Sequence, residues 1–305
     1  MKRLILLFIT LFFTLIFYSC AGAASAEEYF SIGMAYFDLG KYDEAEKWLT
    51  RARQANRTMV ASTYNLGRLA YETGRYEDAA RHFESILRRD RNNVHALRAA
   101  AYARIMSGDI EAAERHYAKL LEIIPESADS GYNHALVLFA MKRYAEAETV
   151  LERFPIALLE NNDNLLLYAR VRAALNKVEA IDHFAAWLET NSSVKVRYEY
   201  GQTLEKHEFY ARALAEFRKA YTDSTAASAD PKRNEISFAI AKVLLIADGT
   251  SSDGIAELRK AVSEGFNNIS AVEGLTARVS ASNREAIRTI VTGMRQTASA
   301  SETNP

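Results

Sequence analysis

Apolar and polar positions along this chain follow a helical period rather than a strand period. Tyr29, Ile32, Gly33 and Tyr36 recur three and four apart, and Ala45, Leu49 and Ala52 do the same beyond Gly40. That spacing lays an apolar stripe along each of two helices, with a glycine in a left-handed turn between them. Ser25 with Glu28, and Asp43 with Glu46, have the spacing of capping boxes at the two helix starts. The pattern then returns. Small residues stand 34 apart at Gly33, Gly67, Ala101, Ala135 and Ala169, and a second row keeps step at Ala45, Ala79, Ala113 and Ala147. Gly74 and Gly108 take the turn. A period made of two helix-sized halves predicts stacked helical hairpins, each relying on its neighbours to cover its apolar stripe.

The small rows have a steric reading. Gly33 and Ala45 let two helix axes approach near the short end of the usual range of about 8–10 Å. Leu49, Phe83, Tyr117, Leu151, Phe184, Phe217 and Leu258 are expected to fill the space toward the next hairpin. Seven units are legible, the first four in strict register. The fifth (Leu165 to Leu188, with Ala180, Phe184 and Trp187) has lost its glycines and slips by a residue. The sixth recovers at Gly201, Tyr210, Ala213, Phe217 and Ala220. A polar loop, Thr222 to Asn234, precedes the seventh, which carries Ala241, Leu244, Gly254, Leu258 and Ala261. Beyond Phe266 the grammar stops. Ser270 with Glu273 and Ser282 with Glu285 read as two more capped helices over 267–295 that seal the last hairpin, and residues 296–305 read as a disordered polar tail.

Tyr64-Asn65-Leu66-Gly67, followed by Gly74-Arg75-Tyr76-Glu77-Asp78-Ala79 and Phe83, resembles the tetratricopeptide repeat family, as does Pro125 at the close of the third unit. The resemblance runs from about residue 26 to 266. It implies an all-α, right-handed solenoid of about seven hairpins, with the first helix of each unit lining a concave face where ligands lie. Some members hold a chaperone's C-terminal carboxylate with lysine, asparagine and arginine side chains. Here Phe30 and Met34 precede Asn65, while His95 and Ala99 follow it, so that clamp is missing.

The first helices carry a row of rings at Phe30, Tyr64, Tyr132, Tyr198 and Phe238, with Arg98 and Leu165 in the same row. Phe37, Tyr71, Tyr102 and Phe139 extend it. The expected site is therefore an aromatic groove for a protein or peptide partner, with Arg68 and Arg98 available for a carboxylate. The opposing reading is that these rings pack between helices. His82, His116 and His183 recur by repeat; equivalent positions on successive hairpins stand about 10 Å apart, too far for one metal ion, and they read as surface decoration. No HExxH, glycine-rich phosphate loop, GxSxG or cysteine–histidine pair appears. No catalytic residue, metal site or cofactor is expected.

The first 26 residues are a different text. Lys2-Arg3 precedes an apolar run, Leu4 to Tyr18, and then Ser19-Cys20-Ala21-Gly22-Ala23-Ala24-Ser25-Ala26. That layout is a secretory signal. Cys20, the only cysteine, sits where the lipobox of bacterial lipoproteins places its acylated residue, although Phe17-Tyr18-Ser19 departs from the usual leucine and small residues. Three readings stand: a signal over 1–19 with lipidation at Cys20 and a tether over 20–25, cleavage after Ala26, or an uncleaved anchor. Each places the body outside the cytoplasm, at the periplasmic face of the outer membrane, at the cell surface, or free in the periplasm. The formal charge of −1 becomes about −3 once the two charges of Lys2 and Arg3 are set aside. That balance offers nucleic acid no attractive field, and no basic strip stands out. The reading is a non-catalytic interaction scaffold in envelope assembly, secretion or cell-wall processes. The alternatives are a ligand-binding accessory of a transporter, or self-association through the same surface.

Overall fold

The computed structural model describes residues 25–225 and 230–302, and every regular element among them is a helix. The expected signal segment and Cys20 lie outside the described residues. The chain divides into two compact units, one ending at Lys142 and the other starting at Arg143.

In the first unit, α1 (Ala26–Asp38) and α2 (Tyr42–Ala55) form one hairpin, α3 (Val60–Glu72) and α4 (Tyr76–Leu87) a second, and α5 (Val94–Ser107) and α6 (Ile110–Ile123) a third; α7 (Ala128–Ala140) packs on α6. The Ser25–Glu28 capping box is present: Glu28 N–H donates to Ser25 Oγ at 3.2 Å, and Ser25 N–H to Glu28 Oε2 at 2.7 Å. The Asp43–Glu46 box is not. The second helix starts at Tyr42, and Lys41 caps it without a side-chain bond. Main-chain bonds from Gly40 N–H to Phe37 O and from Lys41 N–H to Tyr36 O have already closed the turn, so the helix begins two residues early. Glu46 instead takes both ends of the Arg75 guanidinium, at 3.0 and 2.9 Å, and joins the first hairpin to the second.

The small residues stand at close helix crossings, and the large ones have a second role there. A Cβ on Gly33 would come within 2.8 Å of Leu49 Cγ, and one on Gly67 within 2.6 Å of Phe83 Cε1. The large side chain of the second helix thus sits on the glycine of its own hairpin, besides meeting the next one. Leu49 shares a cluster with Leu66 and Leu69, and Phe83 with Ala100 and Ala103.

The second unit opens with α8 (Tyr144–Leu151), only eight residues long, and α9 (Pro155–Glu160), a short helix that the sequence pattern does not announce. Pro155 forces the break. Phe154 before it takes φ −123° and ψ 60°, outside the helical region, and proline then occupies a first-turn position where its missing N–H costs nothing. Three hairpins follow: α10 (Asn162–Ala174) with α11 (Ala180–Thr190), α12 (Val194–Lys206) with α13 (Tyr210–Asp223), and α14 (Arg233–Ala247) with α15 (Ser252–Ser263). A Cβ on Gly201 would meet Phe217 Cε1 at 2.6 Å, repeating the glycine seat of the second hairpin.

The turn between helices keeps one left-handed residue. Gly40, Gly74 and Gly108 have φ of 70°, 75° and 85°, and the matching positions in later hairpins are Lys142 at 61°, Asn176 at 59° and Glu208 at 66°. The conformation persists after the glycine has gone.

At the end, α16 (Ile269–Gly274), a 3₁₀ turn (Leu275–Arg278) and α17 (Ala281–Glu302) cover the last hairpin. Val272, Leu275, Ile287, Val291 and Met294 join Ala241, Leu245 and Leu258 in one buried cluster. The caps are Asn268 and Ser280, not Ser270 and Ser282, because each helix begins earlier than the Ser-x-x-Glu spacing suggests. Nor does the chain leave helix at residue 296. Residues 296–302 include two alanines and no glycine or proline, which lets the last helix continue.

Candidate functional site

Five of the expected groove residues converge on one cleft of about 440 Å³ in the first unit. Tyr64, Arg68, Tyr71 and Glu72 come from α3; His95, Arg98, Ala99 and Tyr102 come from α5; Phe83 of α4 closes the floor. The spacings are those of one helix face, i, i+4, i+7, i+8 on the first wall and i, i+3, i+4, i+7 on the second. Glu72, Phe83, His95 and Ala99 are absent from the sequence-based set. The same helical spacing counted from Tyr64 and Tyr102 leads to Glu72, His95 and Ala99. Phe83 lies on the second helix of its hairpin, outside the row of rings on the first helices.

Each ring is held from behind. Tyr64 packs on Phe83 with centroids 5.2 Å apart, Tyr71 meets Tyr76 edge-on at 5.3 Å, and Tyr102 stands nearly perpendicular to the buried Tyr117 at 6.2 Å. Burial, and then Tyr76, push the Tyr71 hydroxyl above its ordinary value, so it enters the cleft as a neutral donor. Tyr102 keeps 41% of its surface exposed, so its ring is free to take a contact. Arg68 is positioned by two partners: Nη1 donates to Asn65 Oδ1 at 3.0 Å, and its guanidinium lies 4.9 Å from the centre of the Phe37 ring. Arg98 is exposed and joins no ion pair among the described residues.

The remaining groove residues lie elsewhere. Phe30 and Phe37 pack against the Ala45–Leu49 cluster of the first hairpin. Tyr132 and Phe139 are half-buried on α7 and do not line the cleft. Tyr198, in the second unit, packs on Phe217 at 5.4 Å, and burial pushes its hydroxyl up to about 12. Phe238 stacks on Phe266 at 4.1 Å and lines a separate cleft of about 500 Å³ with Tyr210, Lys242 and Arg278. Five of the expected residues are therefore concentrated at one cleft of the first unit, and the second unit has a cleft of its own with more charged side chains. Within the second site Lys242 and Glu205 already satisfy each other at 2.6 Å.

The histidines are also corrected. They are not surface decoration but half-buried side chains beside arginines or acids that link helices. His82 Nδ1 lies 3.4 Å from Arg53, His116 Nε2 3.5 Å from Glu84, and His183 Nε2 3.2 Å from Arg172. Burial, then the neighbouring arginine, lowers the pKa of His82 and of His183. No cluster of three metal-ligating side chains occurs among the described residues.

The hairpin turns, the small-on-large seats and the cleft between first helices come together with the sequence match. Tetratricopeptide repeat profiles match residues 36–101 and 129–162. The chain carries tetratricopeptide repeats. Repeats of this family generally serve as protein-interaction scaffolds. Among solved structures, this repeat protein is similar to a tetratricopeptide repeat protein from Parabacteroides merdae at 21% identity and a TM-score of 0.56, covering 82% of this chain and 97% of the other. It is similar to YrrB at 22% identity and a TM-score of 0.51, covering 57% and 91%. MamA from Desulfovibrio magneticus RS-1 gives 20% identity and a TM-score of 0.51, covering 54% and 97%. No curated protein matches the chain significantly.

Proposed function

We propose that this repeat protein holds an extended segment of a partner protein in the cleft between its second and third hairpins. The observation that carries this is the convergence of Tyr64, Tyr71 and Tyr102 with Arg68 and Arg98 on one open trough. The rings take an apolar or aromatic side chain of the peptide, and the arginines take a carboxylate, either its terminus or an acidic side chain. YrrB, similar in fold, is described as having an unusual peptide-binding site, which supports a peptide as the occupant. A small-molecule accessory role would need an enclosed cavity with convergent polar groups, and this cleft is open along its walls.

The test is to select peptides from a random library against the full chain and titrate those recovered. Tyr71→Ala and Arg98→Ala should each weaken binding by about tenfold, as loss of one interface anchor does. Peptides that bind the double variant as tightly as the parent would overturn the reading.

The location is proposed on the sequence alone. We infer export by the Lys2-Arg3 and Leu4–Tyr18 segment, and a lipid anchor at Cys20. No helix among the described residues is long and apolar enough to cross a membrane. A Cys20→Ala variant that still partitions with membranes would remove the lipid anchor from this picture. From such a position the cleft would serve envelope assembly, secretion or cell-wall processes.

A further inference from the structure

A second cleft in the first unit, of about 480 Å³, has different chemistry from the aromatic one. It lies where the loops after the first and second hairpins meet. Arg53, in the last turn of α2, and Arg57 beyond it come from the first, Arg88 and Arg89 from the second, and Gln54, Thr63, Ser85 and Asn93 add polar side chains. Asp90 is the only acid on its walls. That carboxylate is already engaged by Asn92 N–H at 3.1 Å and Asn93 Nδ2 at 3.2 Å. None of the four arginines joins an ion pair among the described residues. Arg89 donates to the Arg57 carbonyl oxygen at 2.7 Å, which fixes one loop against the other, and Arg53 faces only the His82 ring. Arg57, Arg88 and Arg89 are exposed. This corrects the absence of any basic strip in the linear sequence, since the cluster forms only when two loops are brought together.

Arginines near helix C-termini have a simpler explanation, the favourable interaction of a cation with the helix dipole. That explanation predicts the same residues at the end of the third hairpin. There, 34 positions beyond Arg88, stands Glu122, and 34 beyond Arg89 stands Ile123. Arg88 caps its helix and Glu122 lies in the last turn of the corresponding, longer helix of the third hairpin, so the same end of the dipole carries the opposite charge there and the dipole alone does not account for the cluster. Four guanidiniums against one satisfied aspartate, in a chain of formal charge −1, concentrate far more charge than a single carboxylate would neutralise. The planar donor fork of arginine matches the oxygens of a phosphoryl group in pairs.

We propose that this cleft binds a phosphate-bearing ligand, held by Arg53, Arg57, Arg88 and Arg89. The ligand chemistry has two sources, a free polyphosphate-type anion or a phospholipid headgroup, and the test separates them. The full chain, kept in neutral detergent, is titrated calorimetrically with inorganic pyrophosphate and, separately, with dihexanoyl phosphatidylglycerol, at constant ionic strength. Binding of pyrophosphate alone assigns a free anion, and binding of the short-chain lipid alone assigns a headgroup. In either case Arg57→Ala with Arg88→Ala should weaken binding by at least about tenfold, since each charge-assisted bond contributes about that factor or more. Arg115→Ala, an exposed change elsewhere in the unit, should leave it unchanged. The altered side chains are exposed, so thermal unfolding should match the parent. If it does not, the milder Arg57→Gln and Arg88→Gln variants carry the comparison. The proposal is overturned if neither probe gives saturable heat with the parent chain, or if the arginine variants bind as tightly as the parent.

Discussion

The third and sixth hairpins solve the same packing problem with their devices exchanged. The third has glycine in its turn, Gly108 at φ 85°, and alanine, Ala101, in the seat row. The sixth has Glu208 in the turn at φ 66° and a true glycine seat, Gly201 under Phe217. Turn and seat are therefore separate requirements. The left-handed turn is imposed by the geometry of two helices meeting, and glycine merely removes its cost. The seat is imposed by side-chain size and axis separation, and glycine is needed where a large side chain lies directly over the backbone, Leu49 at Gly33 and a ring at Gly67 and Gly201. The second hairpin, with both Gly74 and Gly67, carries both devices.

This separation can be broken most forcefully at the seats. Gly67→Val and Gly201→Val should each lose about 3 kcal/mol in urea unfolding, since the branched side chain must displace Phe83 or Phe217 from a buried position. A silent Gly201→Val would show that the two seats are not equivalent.

Next in size is the link between the second and third hairpins. Arg104, largely buried, donates to both oxygens of Glu84 at 2.7 and 2.8 Å and to Glu77 at 2.8 Å. Burial would raise the Glu84 carboxyl, but hydrogen bonds from His116 and Arg104 outweigh it and hold it at about 2. A carboxyl depressed on folding stabilises above its unfolded value, near 4.5, and loses that contribution as the pH falls toward 2. Glu84→Gln should therefore cost about 2 kcal/mol at neutral pH, with the difference from the parent shrinking across that acid range in chemical denaturation.

The turns give the smallest effects, and of opposite sign. Gly108→Ala should lose about 1 kcal/mol and Glu208→Gly should gain about 0.5–1 kcal/mol by thermal unfolding. Asn176→Gly should gain less, a few tenths, because asparagine tolerates the left-handed region better than glutamate. Equal gains at 176 and 208 would mean that side-chain strain is not what distinguishes these turns.

Much of this is legible in the linear chain because it repeats. The rows 34 residues apart locate the hairpins, and helical spacing locates both walls of the aromatic cleft. What is not legible depends on residues that do not repeat. Pro155 starts a six-residue helix whose apolar letters, Ile156, Ala157, Leu158 and Leu159, form too short a run to show a period. The arginine cleft needs Arg53 and Arg57 beside Arg88 and Arg89, and in sequence each pair reads as an ordinary helix end. Tyr132, Tyr198 and Phe238 obey the same row as Tyr64, yet their rings do not line its cleft, because a row fixes a position on a helix and not the depth of the groove beside it.

The closing pair of helices after Phe266 has a consequence for assembly. With Val272, Leu275, Ile287 and Val291 laid over the seventh hairpin, that surface offers no fresh apolar stripe on which a second molecule could continue the stacking. Stacking of a further hairpin directly on the seventh is thereby blocked by these helices. Removing residues 267–302 would uncover Leu245 and Leu258 together and turn a self-limiting chain into one with an adhesive face.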